Sequence, residues 1–362
     1  MNLDLTETQE LLQNTVRDYL QRELPFDRIR ELERAGATDA TLWTGIAEQG
    51  WLELVFSEAR GGAGTSLVDV GILVEELARR AAIVPVLEVA AAGRAIERFA
   101  PAEMADELIP GILAGTAVPV PALLEAADRE GEVALAVGAD GRLSGEKAFV
   151  DHGQWATHHL VSARDGRGPA LFLVEAGSEA VRCEPLHSIG RTPLAAVCYA
   201  GAPARRVGGA DALAELVRSG RALAALQCVG SMGQALDMTV AYASVREQFG
   251  KPIGSFQAVR HHCANMAMCV ASARLLVYEA LFALDAGGDA DALVASAKAS
   301  ASRAAPEVLM LAHQIHGGNG IIEENDLYFF TLRGKERSLA WGTGEECLEL
   351  LSAGVEAPAE FL

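Results

Sequence analysis

The chain has 362 residues, half of them hydrophobic, with 30 Lys plus Arg against 49 Asp plus Glu and a net charge of −19. That length accommodates two or three packed domains. The charge argues against a nucleic-acid partner, because an acidic surface repels phosphate backbones.

The predicted elements begin with helices. Thr6 and Gln9 have the spacing of a capping box, and Leu12, Val16, Tyr19 and Leu20 follow at helical intervals. Pro25 marks the end of this helix or a bend just beyond it. A second apolar stripe runs through Leu42, Ile46 and Ala47 to Gly50. The glycine-rich run Arg60-Gly-Gly-Ala-Gly-Thr-Ser66 precedes another helix over Val68 to Arg80. That run lacks the Gly-Lys-Ser/Thr ending of a phosphate loop and has no clear strand before it, so it reads as a tight turn between helices. Near Gly115 the period changes. Strands are predicted at 133–137, from Leu143, at 160–163, at 170–174 and at 197–199, with turns at Gly138–Gly141 and Asp165–Gly168. Short strands at this spacing imply a small antiparallel barrel or sandwich and not a parallel βαβ sheet. From Asp211 the helical period returns in Ala-rich segments at 211–246, 255–286, about 290–315 and 335–353, the pattern of a four-helix bundle.

The apolar runs fall short of the roughly 18–20 residues of a membrane span. The opening MNLDLTETQELLQNTV has neither a basic n-region nor an apolar h-region, so no secretory signal and no membrane association are expected. The six cysteines form no CxxC pair and lie mostly in apolar stretches, as small core residues of a reduced, cytoplasmic protein do. The pairs His261-His262 and His313-x-x-His316 lack complete ligand sets, so no metal site is expected; they read as helix-surface or loop histidines.

Two segments carry most of the chemistry. Tyr242-Ala-Ser-Val-Arg246-Glu-Gln248-Phe249-Gly250-Lys-Pro252-Ile253, followed by Phe256-Gln257, lies at the junction of two bundle helices. Arg246 offers a planar fork suited to a pyrophosphate, and Phe249 a flat apolar face. Gln314-Ile-His316-Gly317-Gly318-Asn-Gly320 ends the third bundle helix, and its paired glycines permit close approach of backbone to a ligand. Taken singly, the first is equally a helix C-cap and the second a plain loop.

Together, at this spacing, they resemble the acyl-CoA dehydrogenase family, whose C-terminal bundle carries an Arg-x-x-Phe-Gly and a Gln-x-x-Gly-Gly segment. Trp43, Gly50-Trp51, Gly61–Gly64 and Glu75-Glu76-Leu77 resemble its N-terminal helical domain. Leu143-Ser-Gly145-Glu-Lys147-Ala-Phe149-Val150, with Gly153 and Leu160–Arg164, resembles its middle β domain. The resemblance implies an α+β, mainly α fold: an N-terminal helical domain over 1–115, a middle β-barrel or sandwich over 116–205, and a C-terminal four-helix bundle over 206–362. It also implies an acyl-CoA substrate, electron-transferring flavoprotein as acceptor, and FAD shared across a subunit interface. The implied FAD contacts are Arg246, Gln248, Phe249, Phe256, Gln257, Gln314, Gly317 and Gly318, with Thr343 a weaker member.

The sequence departs from the family where the chemistry is done. The family base removes an α-proton while a hydride passes to the flavin. Its usual position corresponds to Trp341, in Ala340-Trp-Gly-Thr343, and its alternative position to Gly220; neither residue takes a proton from carbon. Glu215, Glu345 and Glu346 are the remaining candidates, although acidic residues at such positions more often complement a helix N-terminus or face water. The polar Thr-Glu-Pro…Gly-Ser-Asp stretch is replaced by Val118-Pro-Val-Pro-Ala-Leu-Leu-Glu125, and the Trp-Ile-Thr segment by Phe149-Val150-Asp151. Three readings follow. One is a base-less subunit that lends half of an FAD site to a homologous catalytic subunit in an α2β2 enzyme, of the kind that acts on steroid side-chain CoA thioesters. The others are a self-sufficient homotetramer with a displaced base, and a non-enzymatic acyl-CoA-binding or scaffold protein.

Overall fold

The computed structural model describes residues 5–125, 133–288 and 290–353. Six helices come first: α1 (Glu7–Glu23), α2 (Phe26–Ala35), α3 (Ala40–Glu48), α4 (Leu67–Arg79), α5 (Val86–Phe99) and α6 (Ala102–Leu113). Seven strands follow: β1 (Pro119–Ala122), β2 (Arg142–Asp151), β3 (His158–Asp165), β4 (Gly168–Glu175), β5 (Val181–Leu186), β6 (Leu194–Pro203) and β7 (Arg205–Gly208). Then come α7 (Ala210–Val245), the short strands β8 (Glu247–Gln248) and β9 (Lys251–Pro252), α8 (Gln257–Asp285), α9 (Asp291–His316), α10 (Leu327–Leu339) and α11 (Gly344–Ala353). The order of helices, strands and helices is the one the periodicity implies. The chain packs as two compact units. One comprises Arg22–Val70 and Ala82–Gly220; the other comprises Met1–Gln21, Gly71–Ala81 and Arg221–Leu362.

In the first of these units the strands form two sheets, ordered β1-β3-β4-β7 and β2-β6-β5. All pairings are antiparallel except β1 with β3, which is parallel in register from Pro119–His158 to Ala122–Val161. The exception corrects an all-antiparallel expectation without introducing a βαβ unit. β3 and β4 close on the predicted Asp165–Gly168 turn, and their central residues are buried. The run at 133–137 is not a strand. Its backbone pairs with the sheets through isolated bridges, Ala136 to Arg164 and Val137 to Leu143. The glycine-rich run is the tight turn the sequence implies: a Cβ on Gly62 would lie 2.1 Å from the Phe56 carbonyl oxygen. Ser66 then opens α4 by donating its N–H and hydroxyl to the Asp69 carboxylate.

Lys147 is wholly buried on β2. Its ammonium donates to the Leu123 carbonyl oxygen at 3.0 Å, to Glu125 Oε1 at 2.7 Å and to Ser162 Oγ at 3.1 Å, one acceptor for each N–H. Burial works to raise the Glu125 pKa, but the Lys147 hydrogen bond and the Leu135 N–H outweigh it and hold the carboxyl below its ordinary value. This contribution is present above the unfolded pKa and is lost as pH falls through the folded one. Lys147→Met leaves a half-buried carboxylate unpaired and is expected to cost about 3 kcal/mol of stability, read by urea unfolding at neutral pH. A loss below about 1 kcal/mol would show that solvent screens the pair as it does at a surface.

The second unit is helical. Its long helices approach closely at small residues: a Cβ on Gly230 of α7 would lie 2.5 Å from the Glu75 carbonyl oxygen, and one on Gly334 of α10 would lie 2.7 Å from Leu309 of α9. Glu75 accepts from Arg274 Nε at 3.0 Å and from the Tyr278 hydroxyl at 2.7 Å, which ties α4 to α8. Glu76 accepts from Arg17 on α1. The capping box forms as read, with Thr6 N–H donating to Gln9 Oε1 at 3.1 Å and Gln9 N–H to Thr6 Oγ1 at 3.3 Å. The expected helix at 335–353 is instead two helices, α10 and α11. Trp341 (φ 61°) and Gly342 (φ 93°) are left-handed, which no right-handed helix continues through.

Candidate cofactor site

α7 ends at Val245, and the chain turns back through a two-residue hairpin. The turn residues Phe249 and Gly250 both have positive φ, 55° and 75°, the signature of the tight turns that match strand twist. Glycine adopts this at no steric cost; phenylalanine is rarely found there. The Phe249 ring is nevertheless 92% exposed. Phe256 stands edge-on to it at 6.1 Å, with the Lys251 ammonium 4.4 Å above the Phe256 ring. Arg246, Gln248 and Gln257 are exposed. Gln248 Nε2 donates to the Glu247 carbonyl oxygen. The Arg246 guanidinium makes no ion pair among the described residues and no hydrogen bond to the carbonyls ending α7.

The second segment ends α9. Gln314, Gly317 and Gly318 are exposed, and a Cβ on either glycine would meet open space. Gly317 takes φ 59° and ψ −140°, a conformation essentially reserved for glycine. The two segments are joined by a contact that sequence reasoning missed. The rings of Tyr242 on α7 and His316 on α9 stack at 4.5 Å and 18°. His316 is 5% exposed and His313 bonds Thr331 Oγ1 at 2.7 Å, so neither is the surface or loop histidine expected. Burial depresses the His313 pKa. Among the described residues no group of three His, Cys, Asp or Glu side chains is placed to hold a metal ion.

Thr343 has a structural task. Its hydroxyl accepts the Glu346 N–H at 3.2 Å while Glu346 Oε2 accepts the Thr343 N–H at 2.7 Å, a capping box opening α11. Glu345 is exposed. Trp341 is half-buried, and its carbonyl oxygen accepts from Arg221 Nε at 3.0 Å. Gly220 is buried within α7. Glu215 accepts from Arg94 Nε at 2.6 Å and Arg98 Nη1 at 2.9 Å. Burial works to raise its pKa, but the Arg94 hydrogen bond and the charges of Arg94, Arg98 and Arg218 hold it below the ordinary carboxylate value. A carboxylate stabilised in this way is a poor base. Val118–Ala122 is buried and includes β1. β2 bulges between Lys147 and Val150, and Phe149 emerges there with φ 54° while Asp151 is half-buried.

Comparison with known proteins identifies the family. Residues 6–116 match the acyl-CoA dehydrogenase N-terminal domain and residues 208–355 the acyl-CoA dehydrogenase C-terminal domain. Acyl-CoA dehydrogenase FadE27 of Mycobacterium tuberculosis is 31% identical over 86% of this chain and 87% of its own length. Among solved structures, the ChsE4-ChsE5 complex from Mycobacterium tuberculosis superposes with a TM-score of 0.93 at 29% identity, covering 99% of this chain and 100% of the matched one. The Tcur3481-Tcur3483 steroid acyl-CoA dehydrogenase, in its G363A variant, gives 0.91 at 31% identity, covering 96% and 97%. With both terminal family domains matched and a relative at this identity spanning most of both chains, the protein belongs to the acyl-CoA dehydrogenase family.

Proposed function

We propose that this chain is the base-less subunit of a heteromeric FAD-dependent acyl-CoA dehydrogenase, lending the pyrophosphate and adenine half of a shared FAD site to a homologous catalytic subunit. One contrast carries the reading. The hairpin with Arg246 and Phe249 and the loop with Gln314, Gly317 and Gly318 are exposed and joined at the ends of α7 and α9, whereas the two family base positions hold Gly220 and Trp341. These residues fit the cofactor: an uncommitted guanidinium for the pyrophosphate, a protruding aromatic face, and glycine backbone open to close approach. When bound, FAD accepts the hydride that leaves the acyl chain. Arg246 and the loop then serve to bind and orient, and Glu215, Glu345 and Glu346 hold no proton-accepting role. Electron-transferring flavoprotein is the acceptor in this reading. The division into segments 1–115, 116–205 and 206–362 belongs to it too, supported by α6 ending at Leu113 and β7 at Gly208. The steroid side-chain substrate class rests on the naming of the Tcur3481-Tcur3483 relative.

α8 supports the partner. Averaged over its most apolar 18 residues its mean hydropathy is 1.6, so by length and composition it would pass for a membrane span, which the sequence alone did not lead us to expect. Five of its exposed apolar residues, however, fall on one stripe: Ala264, Met268 (61% exposed), Ala271, Leu275 (42%) and Phe282 (57%), spaced by four, three, four and seven. Such a stripe is a seam for another helix; a lipid-facing span is apolar all round. Between His262 and Tyr278 the only charged side chain is Arg274, which turns inward to Glu75. Met268→Glu is expected to weaken assembly with the partner at least tenfold, measured by sedimentation, because it desolvates an unpaired charge in the seam. Flavin content of the native assembly should be roughly half a flavin per chain, since a two-fold pair of mixed dimers has one complete site for each partner copy. One flavin for every chain would contradict the reading.

A further inference from the structure

We infer that Tyr242 and His316, stacked between the ends of α7 and α9, form a positioning pair that fixes the two halves of the cofactor grip relative to each other without themselves holding the cofactor. The inference rests on the proposed role of Arg246 and the Gln314–Gly318 loop in FAD binding. Tyr242 lies one helical turn before Arg246, and its carbonyl oxygen accepts the Arg246 N–H at 2.8 Å. Arg246 therefore hangs from the peptide that carries the tyrosine ring. His316 directly precedes Gly317, where the chain leaves α9.

Three contacts hold His316 in place. It stacks on Tyr242; its Nδ1 lies 2.9 Å from the Ala312 carbonyl oxygen; and Gly320 folds back so closely that a Cβ there would lie 2.9 Å from the His316 Cβ. A carbonyl only accepts, so the proton sits on Nδ1 and the ring plane is set. The Tyr242 hydroxyl donates to the His316 carbonyl oxygen at 3.4 Å, which adds a link to the peptide leading into Gly317. Few other restraints act here: Arg246 and Gln314 are exposed, and the two glycines meet nothing within 4 Å on their Cβ side. His316 is buried and Tyr242 half-buried, while Arg246, Gln314 and the two glycines beside them are exposed, an arrangement that preorganises a binding site.

An ordinary buried aromatic pair would stabilise the fold and leave cofactor affinity alone. The two roles separate in the reconstituted complex with its partner subunit, titrated with FAD and followed by flavin fluorescence, beside thermal melting of the same samples. Tyr242→Leu and His316→Ala are each expected to weaken FAD binding roughly three- to tenfold. The double variant should be no weaker than the worse single one, because either change breaks the same link. Tyr242→Phe keeps the stack and should recover most of the affinity lost in Tyr242→Leu. Should His316→Ala not fold, His316→Gln, which can keep the Ala312 hydrogen bond but has no ring, takes its place. Unchanged FAD affinity, or losses that add in the double variant, would overturn the positioning role while Arg246→Ala still weakens binding. If Arg246→Ala also leaves FAD binding intact, the cofactor assignment itself falls, and the inference with it.

Discussion

Assayed by itself with a range of acyl-CoA thioesters and an artificial electron acceptor, this chain is expected to turn over at least about 10²–10⁴-fold more slowly than the complex with its partner, the range that loss of a general base removes. The α-proton of a thioester is weakly acidic, and its removal requires a carboxylate within hydrogen-bond reach of the carbon. Gly220 has no side chain, and Trp341 presents an indole held in a left-handed corner whose carbonyl oxygen is fixed by Arg221. The substitutes are no better placed chemically. Glu215 is neutralised by Arg94 and Arg98, Glu346 is engaged in the cap of α11, and Glu345 faces solvent. The stretch from Val118 to Ala122 is buried and apolar, and in the proposed reading it stands where the resemblance places flavin contacts, which should reduce the rate further. Normal turnover by the isolated chain, with one flavin bound per chain, would overturn the assignment. Trying Glu215→Gln and Glu345→Gln in that preparation would then show which carboxylate had served.

Much of this was legible in the sequence because the signals are local. The Thr6–Gln9 cap, the turn at Asp165–Gly168 and the starts of α4, α7 and α9 each depend on residues within a few positions of one another, and they lie where the pattern puts them. The failures share a different cause. The run at 133–137 has strand-like composition, yet only two of its residues find bridging partners. The periodicity of 335–353 does not register that Trp341 takes a positive φ, since that conformation is favoured by no tryptophan and is imposed by its surroundings. His316 read as a loop histidine because its stacking partner, Tyr242, is 74 residues away. The motif residues themselves were identifiable by type and spacing, but their exposure was not. Only the structure shows that the Arg246 side chain is exposed, and that exposure bears most directly on the cofactor.

Arg246→Ala is accordingly expected to lower the affinity of the assembled enzyme for FAD about tenfold to hundredfold. A charge-assisted contact between a guanidinium and a pyrophosphate contributes on the order of 1.5–3 kcal/mol, and its geometry is bidentate in favourable cases. Folding should be nearly unaffected: the side chain is exposed, makes no ion pair among the described residues and donates to no helix-ending carbonyl, and such surface substitutions change stability by about 0.5 kcal/mol or less. Arg246→Lys should recover part of the charge but not the fork, and so fall between the two. The measurement is flavin retained after dilution and gel filtration of the complex, read by absorbance, with melting of the same samples as the control for folding. Because the contact is ionic and partly exposed, the gap between Arg246 and its alanine variant should narrow as salt is raised. A variant that keeps full flavin occupancy after dilution at low salt would remove Arg246 from the cofactor site. The exposed Phe249 hairpin would then have to be explained as a contact made to protein alone.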